Sequence, residues 1–374
     1  MVGSRKGPSK RGGLMAALAL AVLPPALGGC DLSARAGPAT PAPGPLRVGF
    51  YDAWDQSDLL ALARQLAGLD VFAPRWLTIR GSRGQVVVEP DPGAATLAAR
   101  AGPRLKVMPL VSNAHDDIWD RAAADAVILD PAARKAFLDQ LVQIAGRRGY
   151  AGYVLDFENL SPRASAGYPS LLAAARAVLR PSGREAWATV APGPDEPLKA
   201  LASAGDAAVL MAYDECWATS NAGPIAGADW LQRLLADRLA GVDPRHVVVA
   251  LAAYGYDWPD GSAGAPIGAA AAMRLAQRLK VQVQRDPTSQ NAHFAYTAAD
   301  GRHHQVWFVD APAFAAGRTA AAPWRPRGYA LWRLGLEDPA LWSLPRGPAA
   351  APARAPGPVA GPAPHPCDLL KSPS

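Results

Sequence analysis

Short apolar runs recur along the chain, with polar, helix-like stretches between them. The runs are LRVGFYD from Leu46, LDVFAPRWL from Leu69, LKVMPLVS from Leu105, GYVLDFE from Gly152, AWATVAP from Ala186, AAVLMAYD from Ala207, HVVVALAAYG from His246 and GYALWRLG from Gly328. Stretches such as SDLLALARQLAG, PAARKAFLDQLVQIAGRRG and GADWLQRLLADRLAG carry apolar residues at helical spacing. All three close on Gly, a helix stop signal. Continuous apolar strands alternating with helices mark a parallel sheet covered on both faces. Eight such runs predict an α/β fold of the (β/α)8 TIM-barrel type, with an open doubly wound sheet as the alternative. No G-x-G-x-x-G follows the first run, which weakens a nucleotide-binding version of that alternative.

Polar residues gather where these runs end: Tyr51 and Asp52, Trp76, Ser112 and Asn113, Asp156 and Glu158, Tyr213 and Asp214, Tyr254, and Trp332. Barrel active sites lie at the C-terminal ends of the strands. Side chains alternate along a strand, so Asp156 and Glu158 share a face and Phe157 points into the helix layer. Crowding and loss of water raise at least one pKa of such a pair, leaving a proton donor near neutral pH. Taken alone, D-x-E is a weak signal, better explained as a pair of rim acids bonded to Arg or backbone.

Composition adds an envelope setting. Arg5, Lys6, Lys10 and Arg11 precede LMAALALAVL (Leu14 to Leu23) and ALGGC ending at Cys30. A basic start with a short apolar core is a signal peptide over 1–29. Small residues before Cys30 resemble a bacterial lipoprotein signal, with Cys30 as the lipidation site. Asp31 resembles an inner-membrane retention signal. The expected location is the periplasmic face of the inner membrane, held by a lipid anchor. Residues 30–45 read as a Pro/Ala-rich tether, 46–344 as the barrel and 345–374 as a disordered Pro/Ala-rich tail. The four leader cations account for four of the six net positive charges, and no basic stripe remains, so nucleic acid is not an expected partner. Of the three cysteines, Cys216 and Cys367 are left once Cys30 is acylated. No disulfide framework and no zinc spacing is indicated, and Cys216 reads as a small buried residue. His303 and His304 read as solvated loop residues. Eleven tryptophans are many; core packing explains most, and exposed ones suit sugar rings.

The strand GYAGYVLDFE resembles the fourth-strand signature D-G-x-D-x-D-x-E of family 18 glycoside hydrolases, the chitinase-like barrels. LMAYDECW is similar to the family's sixth-strand Met-x-Tyr-Asp segment, and GYALWRLGLEDPALW to its eighth strand. FAYTAADGRHHQVWFVDA, from Phe294 to Ala311, resembles a small β-hairpin insertion before the last strand. The likeness runs from about Leu46 to Trp342, and is nearest the spore-germination peptidoglycan glucosaminidases. It implies a retaining hydrolase of β-1,4 bonds next to N-acetylglucosamine, in which the substrate's own acetamide oxygen attacks. Glu158 is then the general acid and base, Asp156 the holder of the acetamide, and Tyr213 a donor to its oxygen. Trp332 is the floor under the sugar, and Asp214 binds a sugar hydroxyl or supports Tyr213. Neither a metal nor an organic cofactor is implied. The partner is an N-acetylglucosamine-containing polysaccharide, and a monomer is expected.

Tyr51, Asp52 and Trp54, Trp76, Asn113, Trp217 and Tyr254 are further candidates for lining the cleft, with Tyr256 and Trp258 as a platform. The chain departs from the signature at Ala151 and Val154. Val154 stands where the family has the residue that partners Asp156 deeper in the barrel. This keeps a second class open, a non-catalytic carbohydrate-binding barrel.

Overall fold

The computed structural model describes residues 44–52, 56–115, 118–347 and Cys367. The leader, Cys30, the tether up to Pro43 and Trp54 lie outside the described residues. All eight apolar runs become strands of one parallel sheet. They are β1 Leu46–Tyr51, β2 Val71–Arg80, β3 in two pieces (Lys106–Val107 and Leu110–Ser112), β4 Gly152–Asp156, β5 Glu185–Val190, β6 Ala207–Met211, β7 Val247–Ala252 and β8 Gly328–Trp332. Val48 of β1 lies opposite both Val71 of β2 and Ala330 of β8, so the sheet closes on itself. β3 is interrupted at Pro109, which has no N–H for the ladder. The Pro109 carbonyl still accepts from Val154 N at 3.1 Å, which keeps the neighbouring strand in register.

The helices between the strands carry their own start and stop signals. Asp130 caps helix Pro131–Arg148 by accepting from Ala132 N at 2.7 Å and Ala133 N at 3.0 Å. Such a cap contributes about 1 kcal/mol. Pro131 stands at the first turn, where its missing N–H costs nothing. Gly149 ends the helix in the left-handed region at φ 70°.

Alternation along the strands makes two cores. Val48, Phe50, Val71, Ala73 and Val154 point into the barrel, and Trp187 fills its lower half. Trp187 Nε1 donates to Glu185 Oε2 at 2.9 Å, and the Arg327 guanidinium sits 5.1 Å from the indole. Glu185 also pairs with Lys106 at 2.7 Å and Arg327 at 2.6 Å, which outweighs its burial and lowers its pKa. Tyr153, Leu155 and Phe157 point outward and join the core under the helices. Phe157 stacks on Tyr168 with ring centroids 5.7 Å apart.

Gly152 opens β4 because the chains approach closely there. A Cβ on it would lie 2.1 Å from the Glu185 carbonyl oxygen. Gly152→Ala is expected to cost about 1–3 kcal/mol in denaturant unfolding. Gly146→Ala is the control, since an added Cβ there meets nothing within 4 Å. It should be neutral or stabilising, as Ala is the better helix former.

The expected hairpin, Ala292–Thr297 with His303–Phe308, is the centre of a larger insertion between β7 and β8. Strands Ala265–Ile267, Gly255–Pro259 and Gln284–Arg285 complete a five-stranded antiparallel sheet. Helix Ala269–Leu279 packs Ala269, Ala272 and Ala276 against Phe294 and Phe308. His303 and His304 are therefore strand residues, not loop residues. His304 stacks on Tyr296, and its Nδ1 lies 2.8 Å from Asp257 Oδ1.

Order continues past the expected barrel end at Leu344. Arg318 Nη2 donates to the carbonyls of Pro345 at 2.8 Å and Gly347 at 2.5 Å, and Arg346 pairs with Asp70 at 3.0 Å. Cys367 forms a disulfide with Cys216, at a sequence separation of 151. This corrects the expectation of no disulfide: nothing in the local sequence of either cysteine reports a partner so far away.

Candidate active site

At the C-terminal mouth of the barrel, the strand ends enclose a cavity of about 260 Å³. Asp52, Asp156, Glu158, Tyr213 and Trp332, five of the candidates, line it together. Arg75, Ser112, Trp119, Thr189 and Met211 complete most of the polar and upper wall. The position below Asp156 on the same face of β4 is Val154, fully buried in the apolar interior. Asp156 therefore has no carboxylate beneath it.

Asp156 is buried, and its Oδ1 accepts from Thr189 Oγ1 at 2.7 Å. Burial pushes its carboxyl up to about 6, although the Thr189 hydrogen bond and the Arg75 charge act the other way. Arg75 is itself paired with Asp52 at 2.9 Å. Glu158 is half-buried at the mouth. Burial first, then the charges of Asp156, Asp214 and Glu196, push it up to about 8. Both carboxyls are shifted toward protonation, Glu158 further than Asp156, so that between about 6 and about 8 Asp156 is the ionised partner and Glu158 the protonated one, which is the division of labour expected of acid catalysis.

The backbone under Glu158 is pinned from two sides. Asn113 Oδ1 accepts from Glu158 N at 2.9 Å, and Asn113 Nδ2 donates to Glu158 O at 3.0 Å. Arg121 Nε donates to the carbonyl of Asn159 at 2.7 Å, and Asn159 adopts a left-handed φ of 54°. Asn113 was a candidate for sugar contact. The structure makes it a fully buried clamp on the residue next to the cavity.

Tyr213 stacks on Trp332 at 6.3 Å with planes 12° apart, and Phe50 meets the same indole edge-on at 5.9 Å. Asp214 stands behind Tyr213, with φ 58°, and does not line the cavity. It accepts hydrogen bonds from Tyr254 and, at 3.5 Å, from Tyr256. Burial pushes it up to about 6, and those two hydroxyls pull it back. Tyr254 crosses Tyr213 edge-on at 6.3 Å, so it supports that ring rather than the cavity wall.

Tyr51 and Trp76 are the two candidates on the wrong face. Inward positions on β1 are Val48, Phe50 and then Asp52, which sends Tyr51 outward against Phe72 at 5.8 Å. On β2 they are Val71, Ala73 and then Arg75, which sends Trp76 outward between Phe72 and Tyr150. Trp217 is away from the cavity lining and is 41% exposed, with Nε1 donating to Thr219 Oγ1 at 3.0 Å. Trp258 is buried, and its Nε1 donates to Trp217 O at 3.3 Å, so it is no open platform. Cys216 is fully buried, as its reading as a small buried residue has it, but it is half of a disulfide and not a free thiol. Arg75, Thr189 and Arg121 went unread in the sequence. A charge inside the apolar run VFAPRWL was the available signal for Arg75; Thr189 and Arg121 carried none.

Residues 47–336 match the family described as Glycosyl hydrolases family 18. The cortical fragment-lytic enzyme of Bacillus subtilis (strain 168) is 27% identical over 255 residues, covering 64% of this chain and 59% of the relative. The chain thus spans less than two thirds of that relative's length. The spore cortex-lytic enzyme SleL of Bacillus cereus superposes with a TM-score of 0.73 at 21% identity, over 80% of this chain and 73% of SleL. A chitinase of Chromobacterium violaceum ATCC 12472 gives 0.74 at 25% identity, over 80% of this chain and 97% of that one. The family match runs from the second residue of β1 through the whole of β8 and takes in every residue lining the cavity, and the chain belongs to glycosyl hydrolase family 18.

Proposed function

We propose that this protein is an envelope-anchored glycosidase. It cleaves β-1,4 bonds next to N-acetylglucosamine in peptidoglycan, chitin-like or exported polysaccharide, with retention and with help from the substrate's acetamide. The observation that carries the reading is one cavity holding Glu158, pushed up to about 8, beside Asp156, pushed up only to about 6. Similarity to a cortical fragment-lytic enzyme and to a chitinase supports the substrate class.

In this reading the Glu158 proton passes to the glycosidic oxygen as the bond to the anomeric carbon breaks. The acetamide oxygen attacks that carbon from the opposite face and forms a cyclic, positively charged intermediate. Asp156, ionised, holds the acetamide N–H and faces the positive charge. Tyr213 donates to the acetamide oxygen, and Trp332 supports the sugar ring from below. Water then opens the intermediate and returns its proton to Glu158. Cys30 carries the lipid that holds the barrel at the periplasmic face of the inner membrane.

The test is incubation of residues 42–374 with N-acetylglucosamine oligomers and purified peptidoglycan, with products read by mass spectrometry across pH. Activity should fall as pH drops through about 6, where Asp156 gains a proton. It should fall again as pH rises through about 8, where Glu158 loses one. No new reducing ends on either substrate at any pH would sink the reading. Val154, which leaves Asp156 without an acid beneath it, favours the competing class, a barrel that binds the same sugars without cutting them.

A further inference from the structure

Asp156 is a buried carboxylate whose proposed role requires a negative charge, and burial opposes that charge. Its hydrogen bond to Thr189 Oγ1 at 2.7 Å is neutral. The position beneath it, Val154, supplies nothing polar. Among the described residues that line the cavity, Arg75 is the one cation. It reaches the cavity from β2, the second strand round the barrel from β4, and is held at 2.9 Å by Asp52 on β1. Both side chains of that pair are largely covered, at 27% and 11% exposure, so their charges are poorly screened by water.

We infer that the Asp52–Arg75 pair is a positioning device: Arg75 supplies the charge that keeps Asp156 ionised in the cavity, and Asp52 holds and partly neutralises Arg75. The role ascribed to Asp156 rests on the glycosidase reading; the pair's hold on its charge does not.

The other titratable groups around Asp156 do not supply this charge. Glu158 on β4 itself is a second acid. Tyr213, after β6, and Tyr168, from helix Pro162–Leu179, are neutral phenols whose pKa burial raises further. Asp214 and Glu196 act on Glu158 and carry negative charge. Arg75 and Asp52 act on Asp156 with opposite signs. That opposition gives the pair a signature that a merely structural role lacks. Removing Arg75 should raise the Asp156 pKa, and removing the Asp52 charge should lower it.

The experiment follows the Asp156 side-chain carboxyl by carbon-13 NMR titration in the wild type, Arg75→Gln, Arg75→Lys and Asp52→Asn. An Asp156→Asn spectrum assigns the resonance. Arg75→Gln should move the midpoint up by about one pH unit or more, the size expected for loss of a close opposite charge. Asp52→Asn should move it down, and Arg75→Lys should restore it toward the wild type. Midpoints within error of the wild type in both Arg75→Gln and Asp52→Asn, or shifts in the same direction, would overturn the inference. Rates of oligomer cleavage across pH are measured on the same proteins. If the wild type cleaves, the acid limb should follow the NMR midpoints. If no protein cleaves anything while the midpoints move in opposite directions, the glycosidase reading fails and the pair's hold on Asp156 stands.

Discussion

Glu158→Gln is expected to cripple cleavage while leaving sugar binding intact. A positioned general acid contributes about 10²–10⁴-fold, so the loss of kcat should reach that range, with little change in oligomer affinity. The amide is nearly the size of the acid, and the Asn113 bonds go to the backbone of Glu158, not to its carboxyl. The variant therefore keeps the loop in place. It also separates the two functional classes. A non-catalytic barrel would bind oligomers before and after the change and cleave them in neither form.

The same variant should change stability in a way that is fixed in sign. The folded-state pKa of Glu158 is raised, from the ordinary 4.5 to about 8. A raised acid leaves stability whole below 4.5, and stability then falls as pH rises toward about 8, because the unfolded chain ionises first. Glu158→Gln should flatten that decline, with a melting temperature at pH 8 above that of the wild type. Parallel melting curves from pH 4.5 to 8 would mean that Glu158 titrates as an ordinary surface acid.

Cys367→Ser is expected to cost about 2–4 kcal/mol of stability, the usual range for a native disulfide. The bond closes a loop of 151 residues in sequence, so the unfolded chain gains much freedom when it is lost. Both sulfurs are buried, Cys216 at 0% and Cys367 at 3% exposure. A Cβ on Gly223 would lie 2.5 Å from Cys216 Sγ, so the loop is built closely around the bond. Reductant should lower the melting temperature of the wild type to that of Cys367→Ser, and leave the variant unchanged. Equal melting with and without reductant, in a protein proven oxidised, would show the bond to be energetically silent. The bond lies two residues beyond Asp214 and next to Trp217, so its loss should also loosen that loop. Disulfides persist in oxidising compartments.

The strands and helices were legible because their signals are local. All eight apolar runs are barrel strands, and the caps at Asp130 and Gly149 act where their residue types imply. Asp156 and Glu158 share a cavity because alternation along one strand is a rule of neighbouring residues. The absolute face of β1 and β2 was not legible. A strand covered on both sides is apolar on both sides, so FYD and RWL do not reveal that Phe50, Asp52 and Arg75 look inward while Tyr51 and Trp76 look out. The clamp of Asn113 on Glu158, the Thr189 bond to Asp156 and the Cys216–Cys367 bridge join residues 45, 33 and 151 apart. Such contacts come from the closure of the barrel and the packing of its loops, which depend on the whole chain and leave no periodic trace in any short stretch of it.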